Sequence, residues 1–145
     1  MARIDQKSFY LKSIQKYGKT ARGVAWSDAH RQERRFSVLL GQVDRISEAV
    51  IVDAGCGFGD LFLYMKRRRV LPKKYIGIDM IDSMVEEARA KCRAEILKRD
   101  MLKDPLPEAD WYLASGSFNL LTRFETLLAL RRFADLSRRG VVFNL

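Results

Sequence analysis

The feature that most limits the fold of this sequence is an apolar run that ends in three closely spaced glycines. The run Ala49-Val50-Ile51-Val52 is short and rich in β-branched residues, which is typical of a strand buried on both faces of a parallel sheet. Gly55, Gly57 and Gly59 follow, and a helical apolar pattern begins at Phe58. A strand that runs through a glycine turn into a helix predicts a ligand site at the carboxyl end of that strand.

Beyond the turn, short apolar runs alternate with segments of helical period. We predict further strands at 75–78, 96–97, 110–115 and from 141 onward, with helices at 82–93 and 123–137. Asp82 or Ser83 is expected to cap the first of these two helices. Two more helices, at 3–17 and 29–43, precede the sheet and are expected to pack over its carboxyl edge. The alternation is typical of an α/β fold whose mostly parallel sheet is flanked by helices.

The length of 145 residues fits about one domain. Within it we divide the chain into an N-terminal helical cap over residues 1–48 and a sheet-containing core over residues 49–145. The last segment, Val141–Leu145, is apolar. A strand that opens at the last residues of a domain usually has further structure after it, so we expect C-terminal strands of the core to be missing.

Charge and cysteine content describe the setting of the protein more than its function. The net charge is +9, but the basic residues are spread out, so solubility explains the excess and an anionic partner such as RNA is the second interpretation. The spacing of the two cysteines predicts neither a disulfide framework nor a metal site. No apolar run approaches ~20 residues, and we expect a cytoplasmic protein without membrane contact. The oligomeric state cannot be read from these features.

The order of residues in the glycine turn separates the candidate ligands. A dinucleotide fingerprint has the order G-x-G-x-x-G, whereas the third glycine here comes one residue early, and a P-loop needs a lysine that this turn lacks. The segment Asp53-Ala-Gly-Cys-Gly-Phe-Gly59 resembles the first motif of class I S-adenosylmethionine-dependent methyltransferases. The resemblance runs from about Tyr17 to Leu145 and is nearest to a poorly characterised bacterial branch. It implies a Rossmann-like fold, with S-adenosylmethionine as cofactor and S-adenosylhomocysteine as product.

The glycine turn and the end of the next strand supply the first group of candidate cofactor-binding residues. The turn contributes Asp53, Gly55, Cys56, Gly57 and Gly59. The carboxylate would attract the cationic amino-acid end of the cofactor, while backbone amides face its carboxylate. Asp79 comes 22 residues after Gly57, where an acidic residue accepts hydrogen bonds from ribose hydroxyls, and Met80 would form an apolar wall for adenine.

The family resemblance adds candidates at the ends of later strands and near the N-terminus. Asp100 would accept from the adenine amino group and Met101 would offer its backbone N–H to the ring, while Ser115 lies where the fourth motif faces the sulfonium. The segment that contains Trp26 is expected to close over the cofactor. Arg35 is expected to meet the carboxylate of the methionine moiety.

The catalytic residues are not identified by the sequence. Methyl transfer is an in-line displacement whose electrophile is part of the cofactor, so the protein mainly orients and desolvates the reactants. His30, the single histidine, is more typical of a surface residue than of a general base. No Asn-Pro-Pro-Tyr-like motif follows the fourth strand, which counts against N6-adenine and glutamine methylation.

A small molecule is the favoured methyl acceptor, and other functions stay open. The basic net charge motivates an RNA methyltransferase as one alternative. A cofactor-binding module without turnover is another, because missing C-terminal strands would complete an acceptor pocket. A nicotinamide-dependent oxidoreductase is opposed by the order of the glycines.

Overall fold

The computed structural model describes residues 5–18 and 28–145 of the chain. The helices are α1 (Gln6–Tyr17), α2 (Ala29–Leu40), α3 (Asp60–Arg68), α4 (Asp82–Lys91) and α5 (Arg123–Leu136). The strands are β1 (Val50–Ala54), β2 (Lys74–Asp79), β3 (Glu95–Lys98), β4 (Ala109–Ser115) and β5 (Ser137–Asn144). Within the described ranges, no helix has both the length and the apolar character needed to cross a membrane.

The five strands form one sheet in the order β3-β2-β1-β4-β5, and each neighbouring pair is parallel. The chain therefore builds outward from β1 to β3 and then returns to the other side of β1 for β4 and β5. In open α/β sheets, ligands bind outside the carboxyl ends of the strands at this point of reversal. The predicted α/β class with a parallel sheet is confirmed.

Both faces of the sheet are covered, as the continuous apolar strands predict. Successive side chains of β1 point to opposite faces, so Ile51 packs in one core cluster with Met65 of α3 while Val52 packs in the other. On that second face Tyr112 of β4 stacks on Phe133 of α5, with ring centroids 4.7 Å apart. The resulting three layers hold the carboxyl ends of the strands in fixed positions.

The two N-terminal helices take different positions, which corrects the expectation that both pack over the carboxyl edge. Helix α2 packs on one face of the sheet against α3, β4 and β5, and Phe36 is buried there. Only α1 lies wholly at the carboxyl edge, where Tyr10 and Ile14 pack against Phe58 and Ile81. The amphipathic patterns of both helices predict an apolar stripe, but they do not specify which surface that stripe meets.

The predicted cap of α4 is wrong. The N-cap position is Ile81, which has no side-chain hydrogen bond, and Asp82 instead pairs with Lys98 at 2.5 Å. Ser83 is also inside the helix, and its Oγ is buried without a hydrogen-bond partner in the described part of the chain. The free backbone N–H of Ile81 is satisfied from the preceding strand, because Oδ1 of Asp79 accepts from it at 3.0 Å.

The fifth strand begins earlier than its apolar pattern indicates. It starts at Ser137, directly after α5, rather than at Val141. The added residues are mostly polar, but Nε of Arg138 donates to Oδ1 of Asp110 at 2.9 Å across the β4–β5 pair. An ion pair between neighbouring strands supports pairing where the apolar signal is missing.

Candidate functional site

A cavity of about 350 Å³ opens at the carboxyl ends of β3, β2, β1 and β4. This volume is in the range of small-molecule sites, roughly 300–1,000 Å³. Nine of the twelve predicted cofactor-binding residues line it, namely Asp53, Gly55, Cys56, Gly57, Asp79, Met80, Asp100, Met101 and Ser115. They come from four separate segments of the sequence, and the parallel sheet brings these segments together at one edge.

Gly55 begins the turn after β1 and is required there on two grounds. Its φ is +76°, a conformation that L residues other than glycine rarely adopt. A Cβ at this position would lie 2.5 Å from Oγ of Ser117, which itself donates to the carbonyl of Ala54 at 2.6 Å. The backbone N–H groups of Gly55 and Cys56 both donate to the carbonyl of Ile78. The turn is therefore pinned between β2 and the segment after β4.

Asp79 joins the glycine turn to the end of β2. Its Oδ2 accepts from the backbone N–H of Gly57 at 3.0 Å, and its Oδ1 accepts from that of Ile81 at the same distance. Burial raises the pKa of this carboxyl, while backbone hydrogen bonds, first that of Ile81 and then those of Gly57 and Met80, act in the opposite direction. A carboxylate has about four acceptor positions, so each oxygen can accept one further hydrogen bond from a ligand in the cavity.

Asp53 is a second buried carboxyl, at the base of the cavity near the end of β1. Its side chain is 3% exposed, and Oδ2 accepts from the hydroxyl of Tyr75 at 2.5 Å. Burial raises the pKa of Asp53 to about 7, with further upward contributions from Asp79 and Asp60, against the opposing effect of the Tyr75 hydrogen bond. A cation in the cavity would favour the ionised form of this carboxyl.

Replacing this carboxyl should change how stability depends on pH. The pKa of Asp53 is raised from 3.8 to about 7 by burial, so the folded protein holds this proton more tightly than the unfolded chain. The free energy of unfolding therefore falls as the pH rises between these values, by a few kcal/mol at ~1.4 kcal/mol per pKa unit. We expect Asp53→Asn to make this decline shallower in urea unfolding curves measured from pH 4 to 8, and the part due to Asp79, whose pKa is also raised by burial, to remain.

The matched control for this measurement is Asp135→Asn, which changes an exposed carboxyl on α5 in the same way. It should leave the pH profile of the wild-type protein intact. A decline from pH 4 to 7 that is as steep in Asp53→Asn as in the wild-type chain would mean that another group is responsible for it.

The segment after β3 is held in place by hydrogen bonds. Oδ1 of Asp100 accepts from the backbone N–H of Leu102 at 2.8 Å, and the backbone N–H of Asp100 donates to Asp104 at 2.7 Å. Arg132 of α5 donates to the carbonyl of Met101 at 2.6 Å. This loop therefore presents Asp100 and Met101 to the cavity from a fixed backbone.

Of the other three predicted site residues, two do not line the cavity and the third lies outside the described part of the chain. Gly59 is the N-cap of α3. Its φ is +83°, and an added Cβ would collide with Sγ of Cys92, the residue that follows α4, which explains why glycine occurs there. Arg35 does not line the cavity, since its guanidinium donates to the carbonyl of Leu145. Trp26 lies outside the described residues. His30 is exposed in the first turn of α2 and does not line the cavity either.

Several lining residues were not predicted as site residues. Tyr10 of α1 reaches the cavity, and burial together with the charge of Asp79 raises its pKa to about 12. Gln32 of α2 is buried there, and its Nε2 donates to Oδ2 of Asp60 at 3.3 Å. Asp60 directly follows the glycine turn, so its position was a usable signal. Nothing local in the sequence distinguishes Tyr10 or Gln32 from core or surface residues of an amphipathic helix.

The cavity is acidic although the protein is basic. Its described lining contains one arginine, Arg99, and five aspartates, namely Asp5, Asp53, Asp60, Asp79 and Asp100. The dense basic run 66–69 lies at the end of α3, and Arg138 and Arg139 lie at the start of β5. Both groups are at the amino edge of the parallel sheet, opposite the cavity. The site therefore favours a cationic ligand over a phosphate-bearing one.

Comparison with known protein families identifies the core of the chain. Residues 51–140 match the sequence model of a family described as a methyltransferase domain. The matched range begins in β1 and ends in β5, so it contains the whole glycine turn and all of β2, β3 and β4. A comparison with the curated proteins finds no match.

Three solved structures illustrate the structural similarity. Magnesium protoporphyrin IX methyltransferase from Synechocystis PCC 6803, solved with bound SAH, has 19% identity and a TM-score of 0.66 over 78% of this chain and 54% of its own. A further match comes from the complex between the Haloferax volcanii Trm112 methyltransferase activator and the putative methyltransferase. It has 18% identity and a TM-score of 0.69, over 99% of this chain and 60% of the matched chain. The [4+2]-cyclase SpnF has 20% identity and a TM-score of 0.65 over 82% of this chain and 46% of its own.

At these identities the similarity to solved structures establishes the shared fold. The chain spans about half to three-fifths of the length of each of these three proteins. One fold supports different reactions, so the reaction has to be argued from the site itself.

Proposed function

We propose that this chain, which belongs to the family of methyltransferase domains, binds S-adenosylmethionine in the cavity at the carboxyl edge of the sheet. It then transfers the methyl group to a small-molecule acceptor. The observation that carries this proposal is an acidic cavity built around a glycine turn. S-adenosylmethionine has a sulfonium and an ammonium but no phosphate. Five aspartates and a single arginine line the described cavity, which suits these charges and opposes the pyrophosphate of a dinucleotide.

The order of the strand ends suggests how the cofactor would lie. Asp79 at the end of β2 offers two oxygens to the ribose diol, and Met80 beside it offers an apolar surface to the adenine. Asp100 and Met101 after β3 lie on the side where the base would reach. The amino-acid part and the sulfonium would then extend over β1 toward β4, past Asp53 and Ser115.

The chemistry of the transfer is supplied by the cofactor, whose sulfonium makes the methyl carbon electrophilic when it is bound. The chain would contribute orientation through fixed acceptors such as Asp79, and exclusion of water through Tyr10 and Phe58, which pack at the cavity. Oγ of Ser115 donates to Asn144 at 3.0 Å, which fixes the end of β4 beside the site. These are binding and positioning roles, and the structure assigns no general base.

The charge distribution supports a small-molecule acceptor over RNA. An RNA strand would need a basic path to the methyl group, because phosphate neutralisation dominates nucleic-acid affinity. The basic run 66–69 and the pair Arg138–Arg139 lie at the opposite edge of the sheet, while the described cavity lining is acidic. A polyanion would therefore be repelled where the reaction takes place.

Calorimetric titration of the chain with S-adenosylmethionine, S-adenosylhomocysteine and NADH tests the proposed cofactor. Both sulfur ligands share the adenosine and the amino-acid part, so both should bind with one-to-one stoichiometry. NADH should give no saturable heat, because its pyrophosphate would face Asp53 and Asp60.

Binding of NADH without binding of either sulfur ligand would contradict the cofactor assignment. Binding of both sulfur ligands, without methyl transfer from labelled S-adenosylmethionine to small-molecule pools or RNA, would instead favour a cofactor-binding module. A function other than methyl transfer has a precedent in this fold, because SpnF, which is similar in structure, is described as a [4+2]-cyclase.

A further inference from the structure

Gln32 is a buried polar residue of the cavity that lies outside the residues 51–140 that match the family. It is 8% exposed, and with Asp53 and Asp79 it makes up the buried polar or charged residues of the described chain. Its position in the first turn of α2 brings it to the lining of the cavity. Buried polar side chains are normally retained only where hydrogen bonds satisfy them.

The hydrogen bond to Asp60 fixes the orientation of the Gln32 amide. Asp60 begins α3 directly after the glycine turn, and its Oδ2 accepts from Nε2 of Gln32 at 3.3 Å. An ionised carboxylate only accepts, so the nitrogen of the amide must face it. This leaves one N–H and the amide oxygen of Gln32 without a hydrogen-bond partner among the described residues. Together these two groups match an α-amino acid, whose ammonium donates and whose carboxylate accepts.

The position of Gln32 along the cavity agrees with this match. Helix α2 packs against α3, β4 and β5, so Gln32 is on the side of the cavity away from Asp100. If the ribose lies on Asp79 and the base near Asp100, the remaining amino-acid part extends toward this side.

The cationic side chains do not offer an alternative partner there. Arg99 follows β3 at the far end, where it donates to the carbonyls of Lys98 and Pro105. Arg35 of α2 donates to the carbonyl of Leu145 and does not line the cavity. Neither arginine is therefore available at this end for a ligand carboxylate, whereas the amide of Gln32 is.

We propose that Gln32, held by Asp60, binds the amino-acid head of the ligand, with its amide oxygen accepting from the ammonium and its free N–H donating to the carboxylate. This assignment rests on the proposed binding of S-adenosylmethionine. It makes α2 a part of the binding site, although α2 lies outside the residues 51–140 that match the family. The helix thereby selects for an adenosyl ligand that carries an amino acid.

The test compares two thioether ligands that differ only in this head. S-adenosylhomocysteine has the amino acid, and methylthioadenosine has a methyl group in its place. Gln32→Leu keeps the approximate volume and removes the amide, so it should weaken S-adenosylhomocysteine about tenfold to a hundredfold. It should leave methylthioadenosine within about twofold, because the adenosine contacts are unchanged. Gln42→Ala, at an exposed position just after α2, should change neither affinity.

The outcomes separate this proposal from the proposed function. Equal weakening of both ligands by Gln32→Leu would show a structural role for Gln32 and overturn the proposal. An unchanged affinity for S-adenosylhomocysteine would overturn it as well, and in either case the cofactor assignment would stand. Failure of the wild-type chain to bind either ligand would overturn the proposed function, and this inference with it.

Discussion

Gly55→Ala is expected to lower the free energy of unfolding by about 3 kcal/mol and to abolish ligand binding. Two costs combine at this position. Forcing an L residue into positive φ costs ~1–2 kcal/mol, and overpacking a filled site costs ~1–3 kcal/mol. The new Cβ would lie 2.5 Å from Oγ and 2.8 Å from Cβ of Ser117, so one of the two segments must move. Urea unfolding and calorimetry with S-adenosylhomocysteine measure the two effects.

Gly18→Ala separates the two costs. Gly18 also has a positive φ, of +70°, but no atom of residues 5–18 or 28–145 lies within 4 Å of the Cβ it would gain. It should therefore show the backbone cost alone, with binding retained. Ser117→Gly added to Gly55→Ala should recover part of the lost stability, since it removes the atoms that the new Cβ meets. Equal destabilisation by Gly55→Ala and Gly18→Ala would show that the contact with Ser117 is not important.

The fold was largely predictable from the sequence because buried parallel strands leave a simple pattern. The strands β1 and β2 each contain a short apolar run, so they were identified from the local order of residues. The start of β5 was missed because its first residues are polar and are stabilised by a neighbouring strand, through the pair of Arg138 with Asp110. Information of that kind is absent from a local window of sequence.

The site was predictable where it depends on residue preferences within one short segment, and less so where side chains from distant segments meet. The glycine turn and Asp79 could be identified because a positive φ and a strand-end carboxylate have clear residue preferences. Arg35 was assigned from the family resemblance and its charge, and its hydrogen-bond acceptor in the structure is 110 residues away in the sequence. Gln32 and Tyr10 reach the cavity because of how α1 and α2 pack, which periodicity does not determine.

Asp79→Ala is expected to weaken S-adenosylhomocysteine about a hundredfold while lowering the free energy of unfolding by only ~1–2 kcal/mol. The loss of affinity follows from the removal of both acceptors for the ribose diol, since hydrogen bonds to a charged group contribute about 1.5–3 kcal/mol each. The loss of stability follows from the unpaired N–H groups of Gly57 and Ile81. It stays modest because burial raises the pKa of Asp79, which shows that its charge is itself costly to bury.

A ligand without the ribose 2′-hydroxyl shows whether Asp79→Ala loses affinity because the ribose contact is removed or because the glycine turn is loosened. In the wild-type chain, the 2′-deoxy analogue of S-adenosylhomocysteine should bind about tenfold or more weakly than the parent, because Asp79 loses one donor. In Asp79→Ala the two ligands should bind equally, since the carboxylate that distinguishes them is gone. The comparison cancels any general loosening of the turn, because such loosening affects both ligands alike. A preference for the parent ligand that persists in Asp79→Ala would mean that another residue holds the ribose, and Asp79 would then serve only to fasten the glycine turn to β2.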